Sequence, residues 1–312
     1  MSISIVTPSF NQGAFLEQTI RSVITSTTPP DEYFVIDGGS TDQSVSIIEK
    51  YQDKISAWVS EKDTGQANAI NKGMKIAASE LVGWLNSDDV YLPHTLERVL
   101  KVFEENPDVV LVYGDVLSID EHGDTINIQR FKQYELADLM AFNIISQPAV
   151  FFRRKALAKA GYLDEQYHYL LDHILWLKIA LQGKIYYIPQ VLAAARYHPQ
   201  AKNVAHTSDF GKEAFHIVDW MNDSTEYKDL FAQNKKAILS GAHRFNAYYL
   251  LEGNNVIKAL NAYWEAIIID PSVALKEIRR IGFAILSLLG FHSIKNLYKK
   301  IRRKKFHDNK LN

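Results

Sequence analysis

The chain has 312 residues, 47% of them hydrophobic, and a formal net charge of −1, enough for one large α/β domain with a smaller appendage. The absence of cysteine excludes disulfides, thiolate nucleophiles and cysteine-ligated zinc, which leaves carboxylates and histidines as the available metal ligands. The near-neutral balance gives no reason to expect a nucleic-acid partner.

The first ninety residues alternate strand-like runs with helical patterns. The opening MSISIVTP has neither the cationic start nor the apolar stretch of a signal peptide, so we expect a cytoplasmic protein. The predicted strands are SISIVTP, EYFVID, ISAWVS and ELVGWLN. Helical spacing of apolar residues, as in Leu16, Ile20 and Val23, fills the segments between them. This alternation predicts a parallel sheet with crossover helices.

The second half adds different patterns. DVVLVYGDVLSID and TINIQRF, separated by EHGD, predict a hairpin and therefore antiparallel strands in the same sheet. LLDHILWLKIAL predicts a helix, and KIYYIP and VLAAARYH predict the last strands. From about Thr207 onward the patterns are helical. We expect an α/β domain over 1–206 and a helical C-terminal extension over 207–312.

Polar residues collect where the predicted parallel strands end. They are Thr7, Pro8, Ser9 and Asn11, then Asp37 to Asp42, Glu61 to Gln66, and Asn86 to Asp89. In open α/β sheets ligands bind beyond the carboxyl ends of the strands, so these residues are the candidate site. The first turn, TPSFNQG, lacks GxGxxG, which disfavours a dinucleotide-binding dehydrogenase.

Five segments together resemble the family 2 glycosyltransferases, over about residues 2 to 200 in that family's order. They are SIVTPSFNQGAFLEQTIRSV, VIDGGSTDQS, EKDTGQANAINKG, LNSDD and GYLDE…LLDHILWLKIALQGKIYYIP…ARYH. The resemblance implies a GT-A type, Rossmann-like mixed sheet flanked by helices. It also implies inverting transfer of a sugar from a nucleotide-diphosphate sugar, with UDP as the expected nucleotide. The expected acceptor is a saccharide or lipid-linked saccharide in cell-surface polysaccharide synthesis.

The resemblance places the base of the nucleotide on Asp37, whose carboxylate can accept a hydrogen bond from uracil N3. The alternative is that IDGGSTD is a turn in which Ser40 or Asp42 caps a helix. Both roles can hold together. The other expected nucleotide-sugar contacts are Thr7, Pro8, Ser9, Asn11, Asp63, Gln66, Lys72, Asn86, Ser87 and Asp88.

Adjacent acids Asp88 and Asp89 match the family's acidic metal motif, with Asn86 where many members carry an aspartate. We expect them to bind Mn²⁺ or Mg²⁺, with His198 as a further ligand. The alternative, helix capping, fits poorly because Pro93 starts the next helix about four residues later.

An inverting transfer needs a general base for the acceptor hydroxyl. Asp172 matches the family's position for that base, although Leu171 replaces the acid that usually precedes it. The alternative is that Asp172 only caps its helix, since aspartate is favoured there.

Two other functions remain open on the sequence alone. A nucleotidyltransferase would also combine such a sheet with acids and Mg²⁺, but TPSFNQG carries no lysine or arginine for a basic phosphate loop. A catalytically silent nucleotide-sugar-binding module is conceivable because Asn86 and Leu171 replace acids.

The end of the chain is basic and apolar. Residues 278–305 combine isoleucines and leucines at helical spacing with seven lysines and arginines after residue 294. This pattern is typical of a helix that binds an anionic membrane surface. Packing on the main domain with a solvated tail is the alternative. The longest apolar segment, IGFAILSLLGF, is too short to span a membrane.

Overall fold

A computed structural model describes residues 1–198 and 207–288. The chain divides into two compact units. The first contains Met1–Gly123, Ile128–Leu136 and Ile145–Arg196, and the second contains Asp124–Asn127, Ala137–Ile144 and the described residues from Tyr197 onward. Within the described ranges, no helix is both long and apolar enough to cross a bilayer.

The first unit is built on a mixed sheet of nine strands. Its strands are β1 (Ile3–Ser9), β2 (Glu32–Asp37), β3 (Ala57–Ser60), β4 (Leu81–Trp84), β5 (Val90–Tyr91), β6 (Val109–Asp120), β7 (Thr125–Gln129), β8 (Val150–Arg153) and β9 (Lys184–Tyr197). Hydrogen bonding gives the order β3-β2-β1-β4-β8-β6-β9-β5, with β7 paired to β6.

Helices connect these strands. They are α1 (Gly13–Ile24), α2 (Ser44–Lys50), α3 (Gln66–Ile76), α4 (Thr95–Glu105), α5 (Leu136–Met140), α6 (Arg154–Ala160) and α7 (Leu171–Ala180), with short 3₁₀ turns at Gln52–Lys54 and Gln147–Ala149. The stripe Leu16, Ile20 and Val23 of α1 is fully buried, which explains its helical period.

Strand direction brings the polar strand ends together. β1 runs parallel to β2 and β4, and β2 runs parallel to β3. Ser9 therefore lies opposite Asp37, and Asp37 opposite Ser60. β8 is antiparallel to both β4 and β6, as expected for a mixed sheet. Every residue of β1 is buried because helices cover both faces of the parallel part.

The second unit is mainly helical. Its long helices are α8 (Thr207–Asp223), α9 (Lys228–Glu252), α10 (Val256–Ile269) and α11 (Ser272–Leu288). Glu277 on α11 is only 5% exposed and lies 2.7 Å from Arg280 and 3.7 Å from Arg244. Arg244 also donates to the carbonyl of Phe142, so a buried carboxylate joins α9 and α11.

These elements follow the predicted order. The mixed sheet flanked by helices, with helices toward the C-terminus, is confirmed. KIYYIP and VLAAARYH, predicted as separate strands, form the single strand β9 through Pro189. The boundary expected after residue 206 remains a prediction; the compact units divide at Arg196. Residues 199–206 and 289–312 lie outside the described ranges.

Candidate functional site

Asn11 ties the end of β1 to the turn after β2. Its backbone has φ 52°, a left-handed conformation that asparagine tolerates. The Asn11 amide donates to Ser40 Oγ at 2.8 Å, and the side-chain Oδ1 accepts from the Thr41 amide at 2.9 Å. The two strand ends therefore form one connected rim, with Asn11 exposed on it.

Asp37 organises that rim from inside. The side chain is fully buried, and its Oδ2 accepts from the amides of Gly39 and Ser40 at 3.1 and 2.8 Å and from Ser60 Oγ at 2.7 Å. Its Oδ1 accepts from Ser40 Oγ. A carboxylate with several donors fixes a turn strongly, and Gly39 supplies the φ of +83° that this turn requires. These bonds show the turn itself; they include no cap of α2 by Ser40 or Asp42, which stays a prediction.

The loop after β3 packs against the turn after β2. Asp63 accepts from the Gly65 amide at 2.9 Å, and a Cβ placed on Gly38 would lie 2.7 Å from its Oδ2. Glycine at position 38 allows this close approach of the two loops. Lys72, predicted to contact the nucleotide sugar, forms an ion pair with Glu61 at 2.7 Å.

The side chains at the end of β1 have different surroundings. Thr7 is fully buried and its hydroxyl lies 3.1 Å from the Tyr33 hydroxyl, so its side chain faces the core. Pro8 lies opposite Ile36 in the β1–β2 register. Ser9 is 3% exposed, and its Oγ has no hydrogen-bond partner among the described residues. A buried hydroxyl in that state is costly unless a ligand or water satisfies it.

Amide side chains form a chain at the end of β4. Gln66 Nε2 donates to Asn86 Oδ1 at 2.9 Å, and Asn86 Nδ2 donates to Gln147 Oε1 at 3.0 Å. Gln147 Nε2 in turn donates to the Trp84 carbonyl at 2.8 Å. Asn86 and Gln147 each accept one of these bonds and donate the next, so the direction of donation is the same along the series. Sequence reasoning missed Gln147, which lies 61 residues from Asn86.

The two acids of the motif have different surroundings. Asp88 is half-buried, whereas Asp89 is 5% exposed and Ser87 is buried beside them. Asp89 accepts from the Arg196 amide at 2.9 Å and from Asn86 Nδ2 at 3.4 Å. Burial raises the pKa of Asp89 well above its ordinary value, and the adjacent Asp88 charge raises it further. Asp88 is therefore the more accessible carboxylate of the pair.

Arg196 is the cation next to these acids that the sequence analysis did not assign. It is 4% exposed and stacks over the Phe15 ring at 4.8 Å. Its guanidinium donates to the carbonyl of Asp88 at 2.9 Å and to Gln18 Oε1 at 2.8 Å. The available signal was the segment AAARYH, predicted as a strand. Side chains alternate between the two faces of a strand, so Arg196 is expected to share a face with His198. The buried arginine fixes the Asp88 backbone and offsets part of the acidic charge.

Helix α7, which carries Asp172 in its first turn, packs against β4. Trp176 stacks on Trp84 with ring centroids 5.0 Å apart, and Phe152 lies 5.5 Å from Trp176. Asp172 is one helical turn before Trp176, and Asp88 is four residues after Trp84. The stack therefore holds α7 against the end of β4. Asp172 is half-buried and accepts from the His173 amide at 2.7 Å.

Comparison with known proteins identifies the family. Residues 4–161 match the family model described as Glycosyl transferase family 2. The chain belongs to glycosyltransferase family 2. The amylovoran biosynthesis glycosyltransferase AmsE of Erwinia amylovora is 29% identical over 192 residues, 58% of this chain and 70% of that protein. The chain spans about two thirds of the length of several other curated relatives.

Two solved structures share the fold of this family 2 glycosyltransferase chain. S. aureus TarS 1–349 in complex with UDP-GlcNAc is 19% identical with a TM-score of 0.67, covering 99% of this chain and 92% of that one. The mannosyltransferase PcManGT from Pyrobaculum calidifontis, in complex with GDP-Man and Mn²⁺, is 17% identical with a TM-score of 0.60, covering 96% and 83%.

The residues at the β4 end fit a hard cation held in part by the substrate. In residues 1–198 and 207–288, no three histidine or acidic side chains are grouped closely enough to hold a metal by themselves. Asp88 offers one accessible carboxylate, and Mg²⁺ or Mn²⁺ commonly combines one or two carboxylates with phosphate oxygens and water. His198 is buried just beyond β9, in the second unit, and its ligand role remains a prediction.

Proposed function

We propose that this protein transfers a sugar, with inversion, from a UDP-sugar to a hydroxyl of a saccharide or lipid-linked saccharide acceptor. The observation that carries the proposal is the Trp84–Trp176 stack. It packs α7, the helix that carries Asp172 in its first turn, against the end of β4, four residues before Asp88, at the edge where the polar ends of four strands collect. Transfer to an acceptor needs a leaving-group side and a base side close together.

The nucleotide belongs at the ends of β1 and β2. Asn11 and Thr41 of the rim are exposed there and Ser40 is half-buried, and the Ser9 hydroxyl at the end of β1 is a further donor without a partner among the described residues. Asp37 shapes this rim, and its Oδ1, which accepts from Ser40 Oγ, has a second lone pair that could accept from uracil N3. The UDP-GlcNAc complex of TarS supports a uridine donor, and the GDP-Man complex of PcManGT supports nucleotide-sugar binding more generally.

The reaction is a displacement at the anomeric carbon. The acceptor oxygen forms a bond to that carbon as the carbon–oxygen bond to the diphosphate breaks, and Asp172 takes the acceptor's proton. UDP leaves with the bonding electrons, and attack from the opposite side inverts the centre. A divalent cation on Asp88 would supply positive charge to the departing diphosphate. Asp89 and Arg196 hold the Asp88 segment in place.

A role in cell-surface polysaccharide synthesis rests on the relatives. AmsE is named for amylovoran biosynthesis, and its match covers 58% of this chain. A saccharide acceptor agrees with that name, and a lipid-linked saccharide is the acceptor chemistry consistent with assembly at a membrane.

The test is nucleotide release from a panel of UDP-, GDP- and dTDP-sugars with Mn²⁺, with and without saccharide acceptors. We expect UDP release from at least one UDP-sugar, lost on EDTA treatment and in Asp88→Ala. Asp108→Ala, which removes a surface ion pair with Lys184, is the matched control and should keep full release. No release or binding with any donor contradicts the proposal. Binding without release indicates a silent module, and nucleotide-sugar formation from a nucleoside triphosphate and a sugar phosphate indicates a nucleotidyltransferase.

A further inference from the structure

Helix α11 presents an apolar face to solvent. Leu275, Ile278, Ile285 and Leu286 are 78%, 63%, 48% and 39% exposed. At about 100° per residue these positions occupy one side of the helix, opposite the buried Val273, Glu277, Ala284 and Ser287. We call the exposed side the outward face of α11.

Exposed apolar side chains are concentrated in this part of the molecule. Of the twelve large hydrophobic residues exposed in the described ranges, eight lie in α10 and α11. Those in α10 are Ile257, Trp264 and Ile268, spaced by seven and four residues, which places them on one stripe of that helix. Scattered exposed apolar residues are ordinary, but a grouped set marks an interaction surface.

Charge on α11 is positive wherever it faces solvent. Lys276, Arg279 and Arg280 are exposed, whereas Glu277, the single acid of the helix, is buried between Arg280 and Arg244. The outward face therefore has basic residues beside it and no carboxylate. Further along the sequence, residues 295–310 read KNLYKKIRRKKFHDNK, in which Asp308 is the only acid.

We propose that α11 lies in the surface of an anionic lipid bilayer, with its outward face at the level of the acyl chains. Aliphatic residues beside cations, without an exposed acid, match the requirements of a helix in the headgroup region. Each basic residue near such a surface adds attraction to anionic lipid. A second protein copy would find the same positive charge on both sides, so charge complementarity favours anionic lipid.

The helix lies along the bilayer and does not cross it. α11 has 17 residues interrupted by four charged side chains, which is short of a membrane span. Gly282, where a Cβ would meet nothing within 4 Å, shows that the middle of this side is open. A surface location would bring a sugar transferase to a lipid-linked acceptor, and that consequence rests on the proposed function.

The experiment is flotation of the full chain with vesicles of phosphatidylglycerol and phosphatidylcholine, or phosphatidylcholine alone, without donor or acceptor. We expect binding to the anionic vesicles at low salt that falls as salt screens the charges. Ile278→Asp should reduce binding by about tenfold or more, because it places a charge on the outward face, which the bilayer would bury. Ile76→Asp is the matched control: Ile76 is 54% exposed on α3, and its variant should bind like the wild type.

Three results would overturn the proposal. If the wild-type protein does not float with anionic vesicles at low salt, it has no membrane-binding surface on α11. Ile278→Asp that floats like wild type, while a chain ending at Leu288 does not float, assigns binding to the basic tail and not to α11. A concentration-dependent dimer by light scattering that Ile278→Asp dissociates, without lipid binding, assigns the face to a second copy. Since no substrate is present, none of these results bears on sugar transfer.

Discussion

Asn86 replaces a carboxylate of the usual metal motif, and its neighbours explain why an amide fits there. It accepts from Gln66 and donates to Gln147, and Gln147 donates to the Trp84 carbonyl. An aspartate could accept from Gln66 but could not donate to Gln147. Rotating the Gln147 amide so that its oxygen and nitrogen exchange places would put the oxygen against the Trp84 carbonyl. The lost hydrogen bond would then move from the contact between Gln147 and position 86 to the contact between Gln147 and Trp84. The amide also avoids a third carboxylate beside Asp89.

We therefore predict that Asn86→Asp lowers stability in EDTA by about 1–3 kcal/mol, the range for a lost buried hydrogen bond. Excess Mn²⁺ or Mg²⁺ should restore part of the loss, because the new acid repels Asp88 and Asp89 unless a cation neutralises it. Chemical denaturation with and without metal measures both effects. Asn106→Asp, at the end of α4, is the control and should show no metal-dependent recovery. Unchanged stability in EDTA would contradict the amide-chain argument.

Asp172 is the residue on which the base assignment depends. Asp172→Asn keeps the shape of the side chain but cannot take a proton, so transfer should fall by about 10² to 10⁴-fold while donor affinity stays near wild type. Single-turnover transfer and nucleotide titration separate the two. Asp270→Asn is the control, since Asp270 also lies at a helix start, where it accepts from Ser272. A normal rate combined with reduced thermal stability would leave Asp172 as an acid that only stabilises the first turn of α7.

Elements with a clear period or strong local signal were predictable. The stripe of α1 follows from apolar spacing, whereas β1, β2, β4 and α7 follow from apolar runs, and they are buried at nearly every position. β5 was missed because a strand of 2 residues carries too little pattern to distinguish it from a loop, and β8, of 4 residues, was not predicted either. Pro189 suggested a break in β9, but a proline lacks only its own N–H and does not prevent a long strand.

The site was predictable as a set of strand ends but not as a network. Parallel strands must end on one edge, so Asn11, Asp37 and Asn86 could be placed near each other before any coordinates. Long-range partners could not be found in this way. Arg196 acts on Asp88 across 108 residues, and no local pattern encodes that contact. Sequence reasoning assigned both acids of the motif to the metal, whereas burial separates the accessible Asp88 from the enclosed Asp89.

At the scale of the whole molecule, opposite charges occupy different parts of the chain. The acids of the candidate site lie between residues 37 and 172, and the basic residues after 294 balance them to a net charge of −1. Near-zero net charge removes long-range repulsion as a driver of unfolding near neutral pH. Individual buried groups should therefore dominate how stability changes with pH.

His243 on α9 is such a group. Burial lowers its pKa below the ordinary value of 6.5, and the negative charge of Glu265 opposes this only in part; its ring lies edge-on to Phe215 at 5.0 Å. In the unfolded chain the histidine binds a proton near pH 6.5, but in the folded chain only at lower pH. Between these two pKa values the unfolded state holds more protons, so stability falls as pH drops from about 6.5 and rises again with pH.

We predict that His243→Gln, which cannot be protonated, flattens this part of the stability profile. Its melting temperature relative to wild type should rise as pH falls from 7.5 to 5, whatever the offset at pH 7.5 from altered packing against Phe215. Melting curves at several pH values measure the difference, and His94→Gln is the control because His94 is exposed and pairs with Glu97 at the surface. Parallel profiles for wild type and His243→Gln would show that His243 titrates alike in the folded and unfolded chains, contrary to its burial.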